Sequence, residues 1–323
     1  MIETKLTRAL GIDIPIIGAP MALAAGGALA AAVSDAGGLG LIGGGYCDRD
    51  WIFKQMEIAG DSRMGCGMIS WALKAKLDLL DEIIARKPSA IFLSFGNPAE
   101  LAKPILQAGI PLICQIQTLA DARHALDCGA NVIVAQGAEA GGHGEDRATF
   151  TLVPEVADLI AQDYSEVSLC AAGGIADGRG LAAALMLGAD GAVVGSRLWA
   201  TQEALVHPNM HACAMQSSGD QTIRSSVMDI ARHLKWPRRY TARVLQNRFT
   251  DRWHEDIDGL LSVADSEASK WKQAWQEGNM DVANTFVGEA AGLIHDIPAA
   301  AACVQTISQE ARQLLGQTWS TAT

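Results

Sequence analysis

The sequence predicts an α/β fold, a closed (β/α)8 TIM barrel with a helical insertion near the C-terminus. Over the first 200 residues or so, eight short apolar runs alternate with Ala- and Leu-rich stretches, the pattern of βα units around a parallel sheet. Most of these runs are continuous rather than alternating, as strands buried on both faces should be. An open doubly wound sheet usually has fewer strands and a glycine fingerprint after the first one, whereas here the first strand runs into Gly18-Ala19-Pro20-Met21.

Taken in order, the strands are expected at 12–18, 38–42, 64–69, 90–94, 111–115, 132–135, 167–171 and 191–194. Helices are expected between them, among others at 27–36, 77–86, 98–108, 119–128 and 178–187, where apolar residues recur at helical spacing. Asp35 and Asp127 and the glycines at 37, 109, 129 and 188 suit the ends of those helices. Beyond residue 200 the β pattern stops and Trp, Arg and polar residues dominate. The reading there is a helical insertion over 203–285, followed by returning barrel helices over 287–315, so that 1–202 and 286–323 make the barrel.

Composition excludes several function classes. A net charge of -11 repels a phosphate backbone, and no basic run interleaved with aromatics offsets it, so nucleic acid is not an expected partner. No apolar run reaches membrane-spanning length, and the charges at Glu3, Lys5, Arg8 and Asp13 do not suit a signal peptide. The seven cysteines are scattered without a CxxC pair, and the histidines share no metal-ligand spacing. Free thiols in a reducing cytoplasm and no metal are therefore expected.

In such a barrel the chemistry sits just after the strands' C-terminal ends. The seventh expected strand is followed by Gly173-Gly174 and the eighth by Gly195-Ser196-Arg197. Glycine lets backbone N–H groups approach a phosphate with no side chain intervening, and the Ser196 hydroxyl adds a donor. Either pair alone would pass for a tight turn; together they read as a phosphate site. The sixth strand runs into a loop in which glycines 141, 142 and 144 surround His143, whose imidazole suits base work near neutrality. Glu139, Glu145 and Asp146 stand close to it in sequence and would favour its protonated form.

These residues, with Ala36-Gly37-Gly38-Leu39-Gly40 and the run from Ala172 through Ile175, Ala176, Asp177 and Gly178 to Arg179, resemble the nitronate monooxygenase family, formerly called 2-nitropropane dioxygenase. The resemblance runs over about 14–200 and continues more weakly through Arg252-Trp253-His254 and Asn279-Met280-Asp281. It implies an FMN-dependent barrel that oxidises alkyl nitronates with O2 to a carbonyl compound and nitrite. By motif, Ala19, Pro20 and Met21 would lie along the flavin ring with Gln136 and Gly141 near it; Gly173, Gly174, Gly195 and Ser196 would hold the phosphate; and His143 would be the base. Gln115 stands where some relatives have lysine, and Ile69-Ser70 where an asparagine is common, so both positions, with Trp71 beside them, would face flavin or substrate.

Alternatives of other kinds stay open at this level. Flavin-dependent enoyl-acyl carrier protein reductases and NAD(P)H:quinone reductases share the barrel and much of the motif set. A regulatory flavin-binding protein would keep the phosphate loops without a working base, and a sugar-phosphate isomerase or lyase would use them without flavin. The basic excess over 232–252 reads as a solvated helix face, and tryptophans 236, 253, 271 and 275 as core packing of the insertion.

Overall fold

In the computed structural model, which describes residues 2–317, the eight barrel strands are all present and parallel. The ends of the expected barrel segments, residue 1 and residues 318–323, lie outside the described residues. In chain order the strands are β1 (Ile16–Gly18), β2 (Gly40–Gly45), β3 (Met64–Ile69), β4 (Ile91–Ser94), β5 (Leu112–Ile116) and β6 (Val132–Gln136). A short β7 (Gly142–Gly144) leaves the barrel, which resumes with β8 (Ser168–Ala172) and β9 (Gly191–Val194).

The sheet runs β1-β9-β8-β6-β5-β4-β3-β2. It closes because Gly18 N–H donates to Leu39 O at 2.9 Å and Leu39 N–H to Ile16 O at 3.0 Å, joining the first strand to the start of the second. Closure leaves no open edge between β1 and β2. Inward-pointing Ile17, Leu41, Phe92, Ile113, Val134 and Val193 fill the barrel, and Leu6 and Leu10 from the N-terminal helix Lys5–Leu10 join the same cluster. Residues of the opposite strand faces pack on the surrounding helices, as the continuous apolar runs require.

The stretch expected to be helical differs from the expectation. Two strands lie within it, β10 (Thr222–Ser225) and β11 (Thr241–Leu245), and with β7 they form a second, antiparallel sheet in the order β10-β11-β7. Arg224 and Arg243 interrupt the apolar pattern of these strands, which is why periodicity did not reveal them. Both guanidinium groups are nonetheless satisfied: each donates to the carbonyl of Ala138, at 3.2 Å and 2.9 Å, and Arg243 also pairs with Glu289. Past residue 286, among the described residues, there is a single long helix, Ala300–Leu315, preceded by a 3-10 turn at Glu289–Leu293, rather than several returning helices. It packs on the helices Gly178–Met186 and Gly27–Asp35.

Candidate active site

A cavity opens at the C-terminal ends of the barrel strands, and the residues singled out from sequence line it: Ala19, Pro20, Met21, Gln115, Gln136, Gly141, His143, Gly173, Gly174, Gly195 and Ser196. Ser70 and Trp71 do not. Ser70 is buried at the start of the helix Ser70–Leu73, and Trp71 stands behind the wall, packed edge-on against Tyr46 and Trp236.

The segment Ala19-Pro20-Met21 can cross the barrel mouth because two strand glycines make room for it. A Cβ on Gly43 would stand 2.2 Å from the Met21 carbonyl oxygen, and one on Gly67 would stand 2.1 Å from the Cβ of Pro20. Facing this segment are the loops after β8 and β9. Gly173 and Gly174 take φ of 108° and 74°, a region that side chains rarely adopt. Gly195 is different, since its φ is -105° and a Cβ there would meet only Ala19 Cβ, at 3.6 Å. Neither backbone strain nor protein crowding demands glycine at that position, whereas the close approach of a bound group would.

The hydroxyl oxygen of Ser196 accepts from Gly288 N–H at 2.9 Å, so its own proton remains available to a ligand. Beyond the cradle, Asp177 caps the helix Gly178–Met186 by accepting from the N–H groups of Arg179 and Gly180, which fixes the loop after β8. Arg197 points the other way, into buried contacts with Ala200 O and Asp296. The donor set on the cavity side is thus bare backbone and one hydroxyl, which suits a phosphate carried by a cofactor.

His143 sits on β7, where it pairs with Ala242 of β11. The second sheet therefore holds the loop after β6, and the two arginines bound to Ala138 O clamp its start. Gln136 ties that loop to the barrel from the other side. Its Oε1 accepts from Gln115 Nε2 at 2.9 Å and Gln117 Nε2 at 2.8 Å, while its Nε2 donates to the His143 carbonyl at 3.1 Å. A carbonyl can only accept, so this arrangement fixes which way the Gln136 amide faces.

The imidazole is 9% exposed, and its Nε2 lies 2.9 Å from Oδ2 of Asp229. Burial holds its pKa below the ordinary histidine value; hydrogen bonding and charge from Asp229 oppose that, and Arg232 and Arg224 add to the lowering. The carboxylates near it in sequence do not set its charge. Glu139 accepts from Thr149 N–H and hydroxyl, Glu145 pairs with Arg239, and Asp146 is exposed. The upward shift expected from those three is replaced by a downward one, set chiefly by burial.

The insertion supplies more of the site than the sequence suggested. Trp236, expected in the insertion core, lies flat on His143 and donates through Nε1 to the Tyr46 hydroxyl at 3.1 Å. Phe95 meets both rings edge-on from a backbone φ of 57°, a strained value for a side-chain-bearing residue at the end of β4. Arg232, expected on a solvated face, reaches the cavity with its guanidinium against Tyr46, Trp271 and Phe286. Gln117, Tyr46 and Asp229 were not singled out from sequence. Gln117 alone carried a signal, as the second glutamine on alternate positions where β5 ends.

The profile of the nitronate monooxygenase family matches residues 3–61 and 69–310. The chain belongs to the nitronate monooxygenase family. Among its relatives, the nitronate monooxygenase npaC of Metarhizium robertsii is 32% identical over 98% of this chain and 97% of its own length. A nitronate monooxygenase of Neurospora crassa is 33% identical over 92% of this chain and 89% of its own. Among solved structures, FabK from Thermotoga maritima superposes with a TM-score of 0.85 at 31% identity, covering 98% of both chains. As a nitronate monooxygenase family member the chain is an oxidoreductase enzyme, and its family points to use of a flavin. Among the described residues no helix is long and apolar enough to cross a membrane.

Proposed function

We propose that this chain is an FMN-dependent nitronate monooxygenase that oxidises alkyl nitronates with O2 to a carbonyl compound and nitrite, with His143 as the base that extends its range to neutral nitroalkanes. One observation carries the proposal. A buried imidazole, its pKa held down by that burial, lines the same cavity as a glycine cradle and the bare segment Ala19-Pro20-Met21.

In this reading the backbone of Gly173, Gly174 and Gly195 and the hydroxyl of Ser196 hold the FMN phosphate. Ala19, Pro20 and Met21 lie along the ring, and Gln115, Gln136 and Gly141 border it. FMN, when bound, supplies the electron transfer between nitronate and oxygen. His143 does what the flavin cannot: it removes the α-proton of a neutral nitroalkane, a step a nitronate has already undergone. The aromatic wall of Trp236, Phe95 and Tyr46 keeps water from the base. Residues 203–285 act as the substrate-side unit, since they bring Asp229, Arg232 and Trp236 to a cavity whose cofactor side is built by the barrel. Seven unpaired cysteines suit a cytoplasmic enzyme.

The test is to purify the protein, identify its flavin, and mix it anaerobically with ethylnitronate and, separately, with NADH and NADPH. The proposal expects FMN, rapid bleaching by ethylnitronate and slow or no reduction by the nicotinamides. Rapid reduction by NADH with no response to nitronate would assign the chain to the reductases instead.

A further inference from the structure

Asp229 lies on the short helix Val227–Ala231, 86 residues from His143 in sequence, and is 2% exposed. Burying a carboxylate is costly unless it is paired. Among the described residues, the one hydrogen bond of its side chain is to His143 Nε2, and its Oδ1 has no partner at all.

An ionised carboxylate only accepts hydrogen bonds, so the 2.9 Å contact requires the hydrogen on Nε2. In a neutral imidazole the other nitrogen, Nδ1, then carries the lone pair. The ring is held with Nε2 toward Asp229, because Trp236 lies on its face with centroids 3.4 Å apart and planes at 7°.

We propose that Asp229 is a positioning residue that locks His143 as the Nε2–H tautomer, so that Nδ1 is the atom that takes the α-proton, and that it then holds the imidazolium that forms. The inference rests on the assignment of His143 as base made above. In the step, the α C–H bond of the nitroalkane breaks, its electron pair becomes the C=N bond of the nitronate, and the N=O π pair moves onto oxygen. The proton goes to Nδ1, and Nε2 keeps its hydrogen toward Asp229. The other charged groups facing the imidazole are Arg232, just past the same helix, and Arg224 from β10, and both disfavour the imidazolium. Glu139, Glu145 and Asp146 of its own loop are turned to other partners or to solvent, and burial keeps the neighbouring Tyr46 neutral by raising its pKa. Asp229 is therefore the anion that offsets burial.

The tautomer can be read directly by 15N NMR of the whole flavoenzyme labelled at histidine, with the His143 signals assigned by their loss in His143→Asn. The proposal expects the proton on Nε2; a proton on Nδ1 overturns it. In parallel, Asp229→Asn is assayed on nitroethane and ethylnitronate with flavin content measured. Its amide can donate to Nε2 and so favour the opposite tautomer, and loss of such an orienting carboxylate has cost a catalytic imidazole on the order of 10⁴-fold elsewhere. The expected result is a fall of at least about 10²-fold on nitroethane, a pH profile that turns at lower pH, and ethylnitronate turnover largely kept. If His143→Asn separates the two substrates and Asp229→Asn does not, the role of Asp229 is refuted while the base stands. If His143→Asn itself fails to separate them, the base assignment falls, and the role of Asp229 falls with it.

Discussion

The indole of Trp236 lies parallel to the imidazole of His143, with ring centroids 3.4 Å apart and planes at 7°. A side chain supplied from the insertion thus covers one face of a histidine on β7, in the loop that follows the barrel strand β6. The contact does two things at once: it fixes the plane of the ring and it keeps water from it.

Removing that cover should change the titration of the base in a definite direction. Burial lowers the His143 pKa, so Trp236→Ala, which readmits water, raises it toward the ordinary value of about 6.5. The base form then survives over less of the acid side, and the rise of nitroethane kcat/KM with pH moves to higher pH. A pH profile of wild type and variant checks this; an unchanged or lower inflection would count against the covering role.

The cofactor cradle makes a prediction that separates packing from binding. A Cβ at Gly195 would meet only the Cβ of Ala19, at 3.6 Å, so Gly195→Val should fold with near wild-type thermal stability yet lose most of its flavin. At Gly67, by contrast, even a methyl group collides with Pro20, so Gly67→Ala should lose stability and flavin together. Absorbance spectra and melting curves of the two variants show the contrast, and full flavin occupancy in Gly195→Val would remove Gly195 from the cradle.

Gln136 predicts a third outcome. Its amide serves two buried or half-buried glutamine donors and the His143 carbonyl, and Gln136→Leu strands all three. Each unsatisfied buried group costs about 1–3 kcal/mol, so urea unfolding should show a loss of that order or more. A loss within experimental error would mean that the network does not hold the loop.

How much of this was legible in the sequence depends on where each residue's partner lies. The barrel strands were readable because both their faces are buried, which leaves continuous apolar runs such as those ending at Ile69 and Ala135. The place of His143 and of the glycines at 173, 174 and 195 on one cavity was readable because they follow barrel strands, where glycine lets backbone approach a ligand. β10 and β11 were not, because Arg224 and Arg243 are charged yet nearly buried, and their pairing with Ala138 O depends on chain about 100 residues away. Asp229 and Trp236 escaped for a related reason. A buried carboxylate and a lone tryptophan carry no local pattern, and their meaning comes from an imidazole 86 residues before the one and about 90 before the other. Ser70 and Trp71 show the converse: both follow β3, yet neither lines the cavity, Ser70 being buried at the start of a short helix and Trp71 packed edge-on against Trp236.

The central claim is that His143 removes the α-proton of a neutral nitroalkane. The most direct measurement is a parallel steady-state assay of nitroethane and ethylnitronate on wild type and His143→Asn, with flavin content matched. The account predicts that nitroethane activity falls by about 10²- to 10⁴-fold while ethylnitronate activity survives in large part. Equal losses on the two substrates at full flavin occupancy would contradict it.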